Sequence, residues 1–259
     1  MKKLGLIGEH LVHSKSPKIH QKLAEIFDKE IIYNLIETNE ESLQDKLSFM
    51  KRGIYEGFNV TIPYKSTVIQ YLDGLTEEAS IIGAVNTIYL KHGKMIGDNT
   101  DYFGFKESFI RSIPKYHNKR IILLGTGGAA KAVYKVLKDL NLNPFVISRS
   151  KREDSYFGLT LSYDELEKLD YDIIINTTPV GMFPDVLNSP LKEAFVKEKI
   201  VFDLIYNPSE TQLMKYSKES YNGLDMLIIQ AIKSFEKWFD ISIKIDEPLL
   251  EKLRGVCHE

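Results

Sequence analysis

The chain has 259 residues, of which 43% are hydrophobic, so it is long enough to form one or two domains with substantial cores. Its 34 basic and 36 acidic residues nearly cancel, and this balance gives no reason to expect binding to nucleic acid or to a membrane surface. The single cysteine, Cys257, excludes a disulfide framework and a cysteine-based zinc site, and no run reaches the ~18 apolar residues of a membrane span.

Residues 4–7 predict a first strand, and no long apolar region typical of a signal peptide precedes it, so we expect a cytoplasmic protein. A polar loop leads to Ser14-Lys15-Ser16-Pro17. Ser16 before Pro17 predicts a helix N-cap followed by proline in the first turn. Ser14 is not needed for that cap, and hydroxyls at the carboxyl end of a strand lie where open α/β sheets bind ligands. For these serines, a purely structural role in capping the helix and a role in ligand binding are both open interpretations.

A third strand is predicted over residues 57–60, and it runs into Asn59-Val-Thr-Ile-Pro-Tyr-Lys65. The period of two in a strand puts Asn59 and Thr61 on the same side. Pro63 ends the strand and fixes the chain just before Lys65. A lysine is most often a solvated surface group, but here it follows a proline turn beside two polar side chains. Lys65 is therefore a candidate site residue.

The next segment predicts a helix over residues 77–82 and a hairpin turned by His92-Gly93 or by Gly93-Lys94. The chain then reaches Gly97-Asp-Asn-Thr-Asp101, which precedes a predicted helix over residues 102–111. Asp101 is either the cap of that helix or a site residue, and the sequence leaves both interpretations open.

The stretch from Ile121 to Val133 predicts a buried strand, a glycine turn and a helix. The pattern is Gly125-x-Gly127-x-x-Ala130, in which the absence of Cβ atoms lets a pyrophosphate approach the backbone and the helix N-terminus attracts its charge. A glycine-rich turn without a ligand is the alternative. Because about a hundred residues of strands and helices precede this motif, we expect a separate α/β layer that supplies the substrate site.

The following strand ends in Ser148-Arg149-Ser150-Lys151-Arg152, about twenty residues after the glycine motif. An NAD site places an acidic residue there for the ribose, whereas cations and hydroxyls favour the 2′-phosphate of NADP. A solvated basic turn is the weaker alternative. Two later strands, over residues 172–175 and 200–204, also end in polar or aromatic groups, and we expect them to line the cofactor site. A long helix over residues 226–239 carries Gln230 on its apolar face.

These motifs together resemble the shikimate dehydrogenase family. They follow the family's order and span nearly the whole chain: Ser14-Lys-Ser-Pro17, Asn59 through Lys65, Gly83-Ala-Val-Asn86-Thr, Gly97 through Asp101, Gly125-Thr-Gly-Gly-Ala-Ala130, Asn176-Thr-Thr-Pro-Val-Gly-Met182, Tyr206-Asn-Pro208 and Gly223 through Gln230.

The resemblance implies a two-domain α/β fold with an interdomain cleft. Residues 1–101 plus 224–259 would form the substrate-binding domain, and residues 102–223 a Rossmann-like NADP-binding domain. The implied substrate-binding residues are Ser14, Ser16, Asn59, Thr61, Lys65, Asn86, Asp101, Tyr206 and Gln230. The implied NADP-binding residues are Gly125, Gly127, Gly128, Ala129, Ser148, Arg149, Ser150, Arg152, Thr177, Leu204 and Gly223. No metal is expected, and the protein would be a monomer or a homodimer.

The expected reaction is the reversible, NADPH-dependent reduction of 3-dehydroshikimate to shikimate in aromatic amino acid biosynthesis. Hydride reduction of a ketone creates an oxygen that needs a proton, which a lysine can donate. We therefore predict that Lys65 is the acid/base and that Asp101 holds it and bonds the reacting hydroxyl. The alternatives are a quinate/shikimate dehydrogenase that uses NAD and a non-catalytic nucleotide-binding regulator of the same fold.

Overall fold

The structure, a computed structural model, describes the backbone of residues 1–258 and the side chains of residues 1–257; Glu259, the last residue of the predicted substrate-binding domain, lies outside the described residues. The chain divides into two compact units. Unit 1 consists of Met1–Gly104 and the residues from Ile228 onward, and unit 2 consists of Phe105–Leu227.

The elements up to residue 112 are six strands and four α-helices: β1 (Lys2–Gly8), α1 (Ser16–Ile26), β2 (Ile31–Glu37), α2 (Glu40–Lys51), β3 (Gly57–Val60), β4 (Gly74–Leu75), α3 (Glu77–Ile82), β5 (Thr87–Lys91), β6 (Lys94–Asp98) and α4 (Thr100–Ser112). The rest of the chain adds β7 (Ile121–Leu124), α5 (Gly128–Asp139), β8 (Phe145–Ser148), β9 (Arg152–Asp154), β10 (Gly158–Ser162), β11 (Ile173–Asn176), α6 (Glu193–Val196), β12 (Ile200–Asp203), α7 (Gln212–Lys215), β13 (Glu219–Tyr221), α8 (Leu224–Phe239) and α9 (Glu247–His258).

Unit 1 contains a six-stranded mixed sheet in the order β2-β1-β3-β5-β6-β4. β1 pairs in parallel with β2 and β3, whereas β5 runs antiparallel to β3 and β6. Lys91 pairs with Lys94, so the hairpin loop is His92-Gly93, with φ values of 51° and 77°. Of the two predicted turns, the first is therefore correct, and both of its residues adopt the left-handed backbone that such a loop requires.

Apolar residues from the strands and from α2 fill the core of unit 1; they include Ile7, Leu43, Leu47, Met50, Phe58, Val60 and Ile88. The Trp238 indole N–H of α8 donates to the Ile88 carbonyl at 3.0 Å. A Cβ at Gly57 would lie 2.2 Å from Trp238 Nε1, so the glycine lets the indole lie directly on β3. This contact holds α8, which carries Gln230, against the sheet.

The predicted N-cap at Ser16 is wrong. Lys15 occupies the cap position of α1 without a side-chain hydrogen bond, and Ser16 is already helical and buried. The Ser14 hydroxyl accepts the Ser16 N–H at 3.2 Å. Ser14, which the sequence left without a structural role, thus bonds the chain two residues ahead, a common local use of serine.

Unit 2 contains a seven-stranded sheet in the order β13-β12-β11-β7-β8-β10-β9. All neighbouring pairs are parallel except β10 with β9. The central strands are buried on both faces, and their apolar residues include Ile122, Leu124, Ile147, Ile174 and Val201. The two parallel-rich sheets confirm the predicted α/β fold class. Strands β9, β10 and β13 were not predicted, because each is short and two of them lie at an edge.

Candidate active site

Lys65 and Asp101 form the central contact of unit 1. Lys65 Nζ donates to Asp101 Oδ2 at 2.6 Å, and the two side chains are 19% and 11% exposed. The Lys65 carbonyl accepts the Val85 N–H at 2.7 Å, which fixes the turn after β3. Within residues 1–258, Asp101 is the sole hydrogen-bond partner of Lys65 Nζ, so the ammonium group retains donors for a ligand.

Asp101 is not the cap of α4. The helix begins at Thr100, and the Asn99 side chain accepts the Tyr102 N–H at 3.2 Å. The Asp101 carboxylate instead has both oxygens engaged by side chains: Oδ1 accepts Asn86 Nδ2 at 2.9 Å, and Oδ2 accepts Lys65. The interpretation of Asp101 as a cap is therefore wrong, and its carboxylate orients a lysine and an amide.

Asn86 links Asp101 to helix α8. Asn86 Oδ1 accepts the Thr100 N–H at 2.7 Å, and its Nδ2 lies 3.3 Å from Gln230 Oε1. Gln230 is 8% exposed, so the glutamine on the apolar helix face is buried and hydrogen-bonded, as burial of an amide requires. The structure thus joins Lys65, Asp101, Asn86 and Gln230 in one chain of contacts within unit 1.

Three other predicted substrate residues of unit 1 have hydroxyl groups. Thr61 follows β3, and its hydroxyl has no hydrogen-bond partner within the described chain. A Cβ at Gly8 would lie 2.6 Å from the Thr61 methyl group, so the glycine lets the end of β1 lie close to the residue that follows β3. Ser14 and Ser16 lie at the start of α1, after the carboxyl end of β1. Tyr206, predicted with this group, is half-buried and belongs to unit 2.

Asn59 is buried beside Asn86, and sequence reasoning missed the residues around it. The Tyr33 hydroxyl donates to Asn59 Oδ1 at 2.7 Å, and His20 Nε2 lies 3.1 Å from the same oxygen. Asn59 Nδ2 donates to the Ser234 hydroxyl at 3.0 Å. A spacing of four residues along a helix relates His20 to Ser16 and relates Ser234 to Gln230. That spacing is the signal that would have identified His20 and Ser234.

The glycine turn of unit 2 contains two glycines in different environments. Gly125 has φ of 106°, and a Cβ there would lie 2.8 Å from Thr177 Oγ1, which itself donates to the Leu124 carbonyl at 2.6 Å. Gly127 is exposed, and a Cβ there would meet nothing within 4 Å. No contact within the described chain requires a glycine at 127, whereas a phosphate that approaches the backbone closely would require one.

The N-terminus of α5 follows Gly127 directly. Gly128 and Ala129 lie in its first turn, where backbone N–H groups have no partner within the helix. The buried Ala130 packs the helix against the sheet. This arrangement fits the pyrophosphate of a dinucleotide.

The basic turn after β8 has one cation that is free of carboxylates. Lys151 pairs with Glu165 at 2.8 Å, and Arg152 lies 3.6 Å from Asp154. Arg149 is exposed and has no ion-pair partner among residues 1–258. The Ser148 hydroxyl donates to the Ser150 carbonyl at 2.5 Å, which shapes the turn. The residues present therefore fit a 2′-phosphate, with Arg149 as the available cation.

The end of β12 adds a buried carboxylate that sequence reasoning missed. Asp203 is 0% exposed, and its carboxylate accepts Asn176 Nδ2 at 3.0 Å, the Ile205 N–H at 3.1 Å and the Thr211 hydroxyl at 2.7 Å. Burial raises its pKa to about 6. Asp203 thus ties the loops that follow β11 and β12 together.

Gly223 and Leu204, both predicted to bind the cofactor, are neighbours in unit 2. A Cβ at Gly223 would lie 2.0 Å from the Leu204 carbonyl oxygen, and the Gly223 N–H donates to the Ile205 carbonyl at 3.1 Å. Only glycine permits this approach of two backbone segments.

The described part of the chain contains neither a metal-binding cluster nor a membrane-spanning helix. Among the described side chains, which end at residue 257, no group of three or more His, Cys, Asp or Glu residues could hold a metal ion. No helix of that part is long and apolar enough to cross a membrane.

Comparison with known proteins gives one family model for the N-terminal part of the chain and relatives that cover nearly all of it. A family model described as the shikimate dehydrogenase substrate binding domain matches residues 6–88. A shikimate dehydrogenase (NADP(+)) of Clostridium beijerinckii is 40% identical over 263 residues, covering 97% of this chain and 96% of the relative.

Two solved structures extend this similarity to the fold. A chorismate mutase/shikimate 5-dehydrogenase fusion protein of Clostridium acetobutylicum is 39% identical, with a TM-score of 0.90 and coverage of 100% and 97% of the two chains. A shikimate 5-dehydrogenase of Thermus thermophilus in complex with NADP(H) and shikimate is 29% identical, with a TM-score of 0.88 and coverage of 99% and 100%.

Proposed function

The chain belongs to the shikimate dehydrogenase family, and from that premise we propose that it catalyses the reversible, NADPH-dependent reduction of 3-dehydroshikimate to shikimate. The observation that carries the assignment of the chemistry is the 2.6 Å contact between Lys65 Nζ and Asp101 Oδ2. The proposal includes a cytoplasmic location, as expected from the sequence.

Lys65 is the proton donor of the reduction. As the ketone carbon accepts a hydride, its oxygen gains negative charge, and an ammonium group beside it stabilises that charge and delivers the proton. Asp101 holds Lys65 and accepts a hydrogen bond from the hydroxyl that forms. In the reverse direction the neutral lysine removes the proton from that hydroxyl.

The remaining polar residues of unit 1 bind and orient the substrate. Ser14 and Ser16 bind its carboxylate, while Thr61 and Gln230 bind ring hydroxyls. Asn86 binds a ring hydroxyl with the N–H that faces Gln230, since that contact is long, at 3.3 Å, and a ligand can replace it. The free hydroxyl of Thr61 and the free N–H groups of Lys65 support this role. We also assign Tyr206 of unit 2 to the carboxylate side of the substrate.

Unit 2 binds the cofactor. NADPH, when bound, supplies the hydride. Its pyrophosphate binds at Gly127, Gly128 and Ala129 at the start of α5, where the open space at position 127 supports close approach. Arg149 binds the 2′-phosphate, with Ser148, Ser150 and Arg152 beside it. Gly125, Thr177, Leu204 and Gly223 line the rest of the cofactor site.

A steady-state assay that crosses two substrates with two cofactors tests the proposal. We expect rapid consumption of NADPH with 3-dehydroshikimate, and a much lower kcat/KM with NADH because nothing replaces the contact between Arg149 and the 2′-phosphate. In the oxidative direction, shikimate should be preferred to quinate. A preference for NAD would favour a quinate/shikimate dehydrogenase, and no turnover with any pair would favour a nucleotide-binding regulator.

A further inference from the structure

Asn59 uses all of its hydrogen-bonding capacity inside the protein. It is 5% exposed, and its Oδ1 faces both the Tyr33 hydroxyl at 2.7 Å and His20 Nε2 at 3.1 Å. Its amide nitrogen faces three acceptors: the Asn86 carbonyl oxygen at 3.2 Å, Thr87 Oγ1 at 3.1 Å and Ser234 Oγ at 3.0 Å. An asparagine side chain has two N–H donors and two acceptor lone pairs, so none is left for a substrate.

The partners of Asn59 also fix the tautomer of His20. The Asn86 carbonyl is only an acceptor, which identifies the atom facing it as the amide nitrogen and the other atom as oxygen. His20 Nε2 must then donate, and Nδ1 carries no proton. Nδ1 has no partner within the described chain, and the ring stacks on Tyr33 with centroids 4.6 Å apart. Burial lowers the pKa of His20 to about 3, so the ring is a neutral N–H donor.

The buried hydroxyls of Ser234, Thr87 and Thr100 connect the Asn59 side chain to the Asn86 side chain through hydrogen bonds. Ser234 Oγ lies 2.7 Å from Thr87 Oγ1 and 3.1 Å from Thr100 Oγ1, and the two threonine hydroxyls lie 3.1 Å apart. Each hydroxyl has one proton, and Ser234 donates its own to the Gln230 carbonyl. The protons of Thr87 and Thr100 are therefore shared between Ser234 Oγ and Asn86 Oδ1, which lies 3.2 and 3.1 Å from the two threonine oxygens. The Thr100 N–H also donates to Asn86 Oδ1, at 2.7 Å. The backbone and the hydroxyls together hold the oxygen on this side, so Nδ2 turns toward Asp101 Oδ1, 2.9 Å away.

We propose that His20, Asn59 and Ser234 are positioning residues for the reduction, which orient the Asn86 carboxamide toward Asp101 without touching the substrate. This inference rests on the proposed function. It replaces the predicted substrate contact of Asn59 with an indirect role, and it adds two residues to the catalytic arrangement of unit 1. Because Asp101 holds Lys65, a tilted Asn86 amide disturbs the acid/base pair itself.

Ser234→Ala with Ser108→Ala as control is the first test. Both serines are buried in helices, and each donates to a carbonyl of its own helix, Ser234 to Gln230 at 3.0 Å and Ser108 to Phe105 at 3.1 Å. The alanine changes therefore remove the same local bond, but only Ser234→Ala removes contacts to Asn59 and the threonines. We expect kcat with 3-dehydroshikimate to fall roughly ten- to a hundredfold in Ser234→Ala, as misplacement of catalytic groups does. KM for NADPH should stay unchanged.

His20→Gln and His20→Phe separate positioning from stability. Glutamine places an N–H close to the position of Nε2 but loses the stacking on Tyr33, whereas phenylalanine keeps the stacking and loses the donor. A positioning role predicts near-normal kcat in His20→Gln, although its Tm should be lower than that of His20→Phe. It predicts loss of kcat in His20→Phe, although its Tm should be the higher of the two. A purely structural role predicts that kcat follows Tm in both variants.

The outcomes are distinguishable. If the unmodified protein does not consume NADPH with 3-dehydroshikimate, the proposed function fails and the inference fails with it. If the unmodified protein is active and Ser234→Ala matches Ser108→Ala in kcat, the inference alone is overturned. Rescue by His20→Gln together with loss of kcat in Ser234→Ala supports it.

Discussion

The polar side chains assigned to substrate in unit 1 are mostly buried and bonded to one another, whereas the cofactor loops of unit 2 expose the groups that would bind. Asp101 shares its two oxygens between Lys65 and Asn86, both of unit 1. Arg149 is exposed and unpaired within residues 1–258, and Gly127 has open space around it. The side chains of unit 1 are already bonded to one another without a ligand, whereas the described cofactor loops of unit 2 offer mainly backbone N–H groups and the Arg149 side chain.

This difference indicates how each unit achieves selectivity. A rigid set of donors and acceptors discriminates among hydroxylated rings by leaving buried groups unpaired when a ligand does not match. A glycine turn with a helix N-terminus accepts any pyrophosphate, so we expect the choice between NADPH and NADH to depend on the basic turn. Substitutions in unit 1 should therefore affect turnover, and those in unit 2 should affect stability or cofactor affinity.

The largest expected effect is that of Lys65→Met. It removes the proton donor while keeping the length of the side chain, and general acid/base groups contribute roughly 100- to 10,000-fold. We expect kcat to fall within that range, with shikimate affinity measured by calorimetry nearly unchanged. Near-normal turnover in Lys65→Met would refute the assignment of Lys65.

Gly223→Ala should be the most destabilising single change considered for unit 2. Its Cβ would lie 2.0 Å from the Leu204 carbonyl oxygen, which is backbone and cannot swing away. We expect a loss of about 3 kcal/mol in the free energy of unfolding, typical of severe overpacking. Gly127→Ala is the matched control, since its Cβ meets nothing within 4 Å. That control should keep its Tm and raise only KM for NADPH; equal loss of Tm in both variants would contradict this account.

Much of this architecture follows from local sequence. The strands at residues 57–60 and 121–124 and the glycine turn after the latter were predicted at their observed positions, because apolar runs and glycines act over a few residues. The contact of Lys65 with Asp101 was also expected. The predicted cap at Ser16 is wrong, because Ser16 is already helical and its N–H is bonded to the Ser14 hydroxyl. Of the two interpretations of Asp101, the cap is the wrong one, because Asn99 accepts the Tyr102 N–H.

The residues that sequence reasoning missed act over long separations. Ser234 bonds Asn59 across 175 positions, and Asp203 bonds Asn176 across 27. The helical spacing of four relates Ser234 to Gln230, but it does not reveal the bond from Ser234 to Asn59. Such partners become visible only when the strands and helices are assembled. Burial then makes these bonds necessary, since an unpaired polar group in a core is costly.

The buried carboxylate of Asp203 should make the stability of unit 2 depend on pH. Its folded pKa of about 6 lies above the ordinary value of 3.8 because the carboxylate is buried without a cation nearby in the described chain. As pH rises from about 4 to 6, the unfolded chain releases this proton before the folded one, so stability falls and then levels off. A shift of this size corresponds to a loss on the order of 2–3 kcal/mol.

Asp203→Asn should abolish that fall. Asparagine keeps an acceptor for Asn176 and Ile205 and can donate to Thr211, so the bonds survive without a titrating group. The measurement is the free energy of unfolding from urea titrations at pH 4.5 and 7. We expect the difference between these two values to be smaller in the variant; an unchanged difference would show that Asp203 does not cause it.

The smallest expected effect is that of Arg149→Gln, and it tests the selectivity of unit 2 directly. Arg149 is exposed, so water weakens its bond to a phosphate, and we expect KM for NADPH to rise only about tenfold. KM for NADH, which lacks the phosphate, should not change. Lys151→Gln is the control, because Lys151 is already paired with Glu165 and should shift KM for NADPH much less. A larger effect at Lys151 would mean that its ion pair with Glu165 opens to bind the cofactor. The side chains of the basic turn would then rearrange on binding, unlike the buried side chains around Asn59.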